Sequence, residues 1–261
     1  MNENQLYLEE AIRWKMKFLR KPSMAERMSK GVQSKINARI PAKVHKAITE
    51  SIKKMVEATL LGSNLTTVDK KTGTLSLREK DELAQKTIAQ YQKAAAVEGI
   101  GTGAGGIFLG LADFPLLLGI KMKCLFELAS IYGYDIKEKE ERMFLLYIFQ
   151  LAFSGEAHRK EIFRMIEHWE TEKREIDWQA FQQEYRDYLD LVKLLQLVPG
   201  FGAVVGGTAN YKLLGHLGET ARHVFHLRLI HETAGILMIR LFFCFFGYYI
   251  AGVSLIACSF S

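Results

Sequence analysis

Apolar positions recur with a helical period along most of this chain. Ile40, Val44, Ile48, Ile52, Met55 and Thr59 step by four, four, four, three and four, one stripe on a helix that Pro41 can open. Lys43, Lys46, Lys53 and Lys54 lie mostly off that stripe. Ser23 with Glu26, and Ser76 with Glu79, fit the S-x-x-E capping box and predict helix starts near 24 and 77. Residues 62–75, rich in Gly, Thr, Asn, Asp and Lys, read as a loop, where T-G-T after D-K-K fits a small hairpin. One long helix is expected from 77 towards Gly99 and another from Pro115 to Tyr134. The run 143–153 is apolar on all sides, as in a buried helix. Residues 156–196 are strongly charged in their first half and predict solvent-facing helices around a break near Ile176–Trp178. A further helix is expected from about 212 to 234. With no strand pattern outside the loop, the fold class is all-α.

Between the predicted helices the chain repeats an uncommon glycine pattern. Gly103, Gly105, Gly110, Ala112, Leu116 and Leu117 recur 97 residues later as Gly200, Gly202, Gly207, Ala209, Leu213 and Leu214. Asp113 is matched by Asn210, and Phe114 by Tyr211. Small residues at such spacing let helix backbones approach closely, and repeats of this kind recur in membrane-embedded folds. The expected architecture is a multi-helix bundle with the two glycine segments packed on each other. Gly101-Thr-Gly103-Ala-Gly105-Gly106 also satisfies G-x-G-x-x-G, but the residues before it form a helix, whereas a dinucleotide turn follows a strand. Gly99–Ile120 carries one charged side chain, Asp113. Asp113 reads either as a cap on the turn into the helix that Pro115 opens, or with Asn210 as a polar site.

Charge is unevenly placed. Residues 11–54 hold 13 Lys/Arg against Glu26 and Glu50, a local excess of 13 − 2 = +11. Residues 138–190 hold 13 Asp/Glu against 8 Lys/Arg, a local balance of 8 − 13 = −5. The basic stretch interleaves Trp14, Phe18 and Leu19 with Arg13, Lys15, Lys17, Arg20 and Lys21, the composition of a helix lying on anionic lipid. No helix-turn-helix or aromatic platform accompanies it, so nucleic acid is not an expected partner. From Leu241 to Phe260 no residue is charged, a length that can span a bilayer or form a buried terminal helix. The expected organisation is a helical domain over 1–234 and an apolar tail over 235–261. Cys124, Cys244 and Cys258 form no C-x-x-C pair and fit a reduced compartment, and the acidic start lacks the apolar core of a secretory signal.

Catalytic signatures are sparse. His216, Glu219, His223 and His226 fall within an arc of about 80° on one predicted helix, and His/Glu at such spacing is compatible with metal ligation. Positions 0, 3, 7 and 10 of a straight helix span about 15 Å, so at most a pair could reach one ion. They read better as a solvated stripe beside Leu213, Leu217, Ala221 and Val224, and neither a metal nor another cofactor is expected. G-x-S-x-G is absent, and no Cys stands beside a base.

The two glycine motifs, Tyr132-Gly-Tyr-Asp135 and V-P-G-F-G-A-x-x-G-G-x-A-N-Y at 198–211 together resemble the EcsC family over roughly residues 5–231. That family takes its name from a protein encoded alongside an ABC transporter. The resemblance implies membrane association and an accessory role beside a transporter, with transporter subunits as partners. Asp113 and Asn210 carry over with no assigned catalytic role. The function expected is thus a non-enzymatic accessory protein at the cytosolic face of the membrane. The alternative is a lipid- or peptide-directed hydrolase with a metal or an Asp/Asn site.

Overall fold

A computed structural model describes residues 3–20, 42–61, 72–103, 106–154, 156–172 and 207–232. Helix α1 spans Glu3–Phe18, α2 Ala42–Leu61, α3 Leu77–Gly103 and α4 Gly106–Tyr132. They are followed by α5 Lys139–Phe153, α6 Glu156–Glu167 and α7 Trp169–Glu172. Helix α8 covers residues 207–232. The described residues hold no strand, and the chain is all-α. None of the described helices is long and apolar enough to cross a membrane. The uncharged run 241–260 and the break near Ile176–Trp178 lie outside the described residues.

Local chemistry sets several of these boundaries. Ser76 caps α3 in both directions: its Oγ accepts from the Glu79 N–H at 3.3 Å, and its own N–H donates to the Glu79 carboxylate at 2.8 Å. Helix α2 begins at Ala42 and buries Ile52, Met55 and Thr59 of the predicted stripe. Helix α5 is buried continuously from Arg142 to Phe153, as its apolar run requires. Helix α4 ends at Gly133, whose φ of +99° is the left-handed conformation that favours glycine. There the Tyr134 N–H reaches back to the Ala129 carbonyl at 2.9 Å and the Gly133 N–H to Ser130 at 3.2 Å, a Schellman closure.

One expectation is corrected. Pro115 opens no helix; it lies inside α4, and backbone helix runs unbroken through Asp113, so Asp113 does not cap a break. Proline removes one helical hydrogen bond, and the exposed Pro115 ring costs the helix no buried packing. The T-G-T segment forms a turn, with the Leu75 N–H donating to the Thr72 carbonyl at 3.0 Å, while the D-K-K side of the expected hairpin lies outside the described residues.

Helices α3 and α4 form an antiparallel hairpin, α2 and α5 pack against α4, and α8 runs antiparallel to α3. Asp81 meets Arg222 near one end of the α3–α8 pair, and Glu98 meets Asn210 near the other. Between them Gly218 faces Ile88 so closely that an added Cβ would stand 2.6–2.9 Å from three of its side-chain carbons. At Gly215 the added carbon would meet the flexible end of Gln92. Gly218→Ala is therefore expected to cost about 1–3 kcal/mol through overpacking, while Gly215→Ala stays near neutral because Gln92 can swing aside. Thermal denaturation of the two variants checks the contrast.

Candidate functional site

Helix α8 projects two arginines into the bundle, six residues apart, and each gathers a polar network. Arg222 donates from Nη1 to both Asp81 oxygens at 3.2 Å, and from Nη2 to Glu10 at 2.8 Å and Glu219 at 3.0 Å. Asp81 also accepts from the Tyr132 hydroxyl at 3.1 Å and faces His226 Nε2 at 2.8 Å. Burial would raise the Asp81 carboxyl, but the His226 hydrogen bond and the Arg222 charge outweigh it and hold the group at about 2. Burial, reinforced by Arg222, pushes His223 down to about 4. Asp81 and His226 are 2% and 0% exposed, at the buried centre of the network. What it does is tie α1, α3, α4 and α8 together.

The second network centres on Arg228. Its guanidinium holds Glu141 through two bonds of 2.6 Å, reaches Glu170 at 2.7 Å, and lies 4.1 Å above the Tyr134 ring. Tyr134 in turn donates to Glu232 at 3.4 Å. A cavity of about 580 Å³ opens beside it, walled by Phe163, Ile166, Trp169, Val224 and Leu227. The Tyr-Gly-Tyr motif thus has a physical meaning: Gly133 ends α4, sending Tyr132 into the Asp81 network and Tyr134 onto Arg228.

Helix α1 closes the first network. Glu10 pairs with Arg222, Trp14 stacks on His223 at 4.9 Å, and Tyr7 meets His226 edge-on at 5.2 Å. Lys15 turns inward to an ion pair with Glu167. The outward face carries Leu6, Glu9, Ile12, Arg13, Met16, Lys17 and Arg20 within an arc of about 140°. Met16 is 70% exposed there, beside basic neighbours.

The other sequence-derived residues fall as follows. His223 and His226 are buried under α1, which corrects their reading as a solvated stripe. His216 instead bonds the Ala152 carbonyl at 3.0 Å, Glu219 pairs with Arg222, and no group of metal-ligating residues converges among the described residues. Asn210 is buried and donates to Glu98 at 3.4 Å, while its Oδ1 has no partner. The Asp113 side chain, Lys21, Gly105, Gly200 and Gly202 lie outside what is described, and with them the packing of the glycine repeat. Gly103 ends α3, Gly110 lies within α4, and Gly207 is buried at the start of α8.

Sequence reading missed Asp81, Arg222 and Arg228. A signal for Asp81 existed: Leu77, Asp81, Ala84, Ile88, Tyr91 and Ala95 form one stripe, so a carboxylate occupied a core position and required a buried partner.

Proton linkage through this site gives a definite sign. His223 is depressed in the fold relative to its ordinary value near 6.5, so its contribution is complete above about pH 6.5 and is lost as pH falls towards 4. Asp81 adds stability that is present above about pH 4 and lost as pH falls through about 2. Denaturant unfolding is expected to show about 3 kcal/mol less stability at pH 4 than at pH 7.5 from His223. His223→Phe, which keeps an aromatic ring under Trp14, should flatten that slope.

The profile of the EcsC protein family matches residues 5–230. Protein EcsC of Bacillus subtilis (strain 168) is 68% identical over 235 residues, covering 90% of this chain and all of that protein. The uncharacterized protein YdbA of the same organism is 34% identical over 159 residues, 58% of each chain. No solved structure matches. The match ends before the uncharged run 241–260.

Proposed function

The chain belongs to the EcsC protein family, and we propose that it is a membrane-surface accessory protein rather than an enzyme. It acts at the cytosolic face, beside an ABC transporter. The observation carrying this reading is the outward face of α1. A helix buried on one side by Ala11, Trp14 and Phe18 still exposes Leu6, Ile12 and Met16 to water among Arg13, Lys17 and Arg20. Apolar side chains beside basic ones are the pattern with which a surface helix enters the headgroup region of an anionic leaflet. The sealed state of Asp81 and His226 supports the non-enzymatic part. The transporter rests on the family resemblance.

Cell fractionation tests the reading. The protein is expected in the membrane fraction at low salt and in the supernatant after a high-salt wash, because 1 M salt shortens the Debye length to about 3 Å. Recovery in the soluble fraction at low salt would overturn membrane association. Retention through the salt wash would contradict the electrostatic mode and shift the anchoring to the 241–260 run.

A further inference from the structure

Helix α6 runs alongside α1 in the opposite direction. The Trp14 ring lies 6.3 Å from that of Phe163, Lys15 pairs with Glu167, and Phe18, one turn further on, sits 4.9 Å from the Arg159 guanidinium. Four residues forward on α1 thus correspond to four residues back on α6. In that register Ile12 and Met16, 41% and 70% exposed, stand level with residues 161–165.

Helical geometry then fixes which α6 side chains border them. Phe163 marks the side of α6 that meets α1. At 100° per residue, the buried Ile162 and Ile166 lie about 100° and 60° from Phe163 in one sense, towards the core. The exposed Lys160 and Arg164 lie about 60° and 100° from it in the other sense, away from the core. On α1 the same construction starts from Lys15, which faces α6. Trp14, stacked on His223 of α8, lies about 100° to one side of Lys15, and Ile12 and Met16 lie about 60° and 100° to the other. Arg13 and Lys17 follow beyond them, about 160° from Lys15. The exposed pair Ile12 and Met16 is therefore a ridge with Arg13 and Lys17 on one flank and Lys160 and Arg164 on the other.

Residues 138–190 are acidic overall, yet the helical period sorts the charges of α6. Glu167 turns in to Lys15, and Glu161 lies about 160° from Phe163, on the side away from α1. A ridge of two apolar side chains is small for a protein partner, whose stable contact buries roughly 800 Å² a side around an apolar core. Against a nucleic-acid backbone the ridge would meet only phosphate and sugar. A bilayer surface matches both parts, because the ridge can enter among headgroups while the cations on either side face anionic lipid.

We propose that α6 is the second half of the membrane-binding surface: the antiparallel α1–α6 pair lies flat on an anionic bilayer, with Ile12 and Met16 among the headgroups between the two basic flanks. This rests on the membrane-surface reading of α1 and extends it to a helix from the acidic part of the chain.

The test compares the full chain with its Lys160→Gln/Arg164→Gln variant in co-flotation with phosphatidylglycerol vesicles at physiological salt. The control is Lys53→Gln/Lys54→Gln, which removes the same charge from exposed positions of α2, a helix packed on α4 and α5. The α6 variant, folded by circular dichroism, is expected to bind roughly thirtyfold more weakly. The α2 variant should stay within about threefold of the unaltered chain, since distant charges are screened. Equal losses in the two variants would show that net charge sets the binding, and overturn the proposal. Undiminished binding of the α6 variant overturns it too; a loss in Arg13→Gln/Lys17→Gln in the same assay would then leave the reading of α1 standing alone. Failure of the unaltered chain to float overturns both. Binding of a short DNA duplex as tight as that of the vesicles, and lost in the α6 variant, reassigns the surface to nucleic acid.

Discussion

Arg222→Met is expected to lower the unfolding free energy by about 3–5 kcal/mol, the cost of leaving a buried carboxylate without its cation. Asp81 is 2% exposed and, once the guanidinium is gone, keeps the Tyr132 hydroxyl, His226 and the Gln85 amide, of which none carries a fixed charge. Glu10 loses its hold at the same time, so α1 loosens. The double variant Asp81→Leu/Arg222→Met should be more stable than Arg222→Met alone, because removing both charges removes the desolvation penalty. Urea denaturation of the four proteins in this cycle measures the coupling. An additive result would mean that the pair is energetically independent, contrary to the geometry.

Lys121→Met is expected to act in the opposite direction, raising stability by about 1–4 kcal/mol at neutral pH. Lys121 is wholly buried in α4 and its Nζ has no hydrogen-bond partner. Burial pushes its amine down to about 7, against the Glu98 carboxylate, which favours the charged form. An amine depressed in the fold binds its proton more readily when unfolded, so the native chain gains stability as pH rises from about 7 towards 10.5. The advantage of methionine is therefore full below about pH 7 and fades towards pH 10.5. Thermal melts across that range supply the check, and a constant gain at every pH would show that packing rather than charge sets it.

How much of this was legible in the sequence depended on how local the cause was. The Ser76–Glu79 cap, the Ile52–Met55–Thr59 part of the α2 stripe and the all-round apolar α5 are fixed by residues within a few positions of one another, and each stands where its pattern placed it. Pro115 misled because proline usually stops a helix, whereas here an exposed site tolerates the missing bond. His223 and His226 misled for a longer-range reason. Their polarity fits a solvated face until Tyr7 and Trp14, more than 200 positions earlier, close over them. The Asp81–Arg222 pair, 141 residues apart, left only one trace, a carboxylate on an otherwise apolar stripe. Gly215 and Gly218, which set the approach of α8 to α3, stand outside the repeated glycine pattern that drew notice.

Membrane binding through the outward face of α1 is tested most directly by co-flotation of the full chain with phosphatidylglycerol vesicles when the basic residues of that face are neutralised. Each of Arg13, Lys17 and Arg20 is worth about 1 kcal/mol near an anionic surface, so the Arg13→Gln/Lys17→Gln/Arg20→Gln variant should bind roughly a hundredfold more weakly at physiological salt. Lys15→Gln, whose charge faces Glu167 rather than solvent, should bind like the unaltered protein. Undiminished binding of the triple variant, or equal binding of the unaltered chain to phosphatidylcholine, would contradict the account.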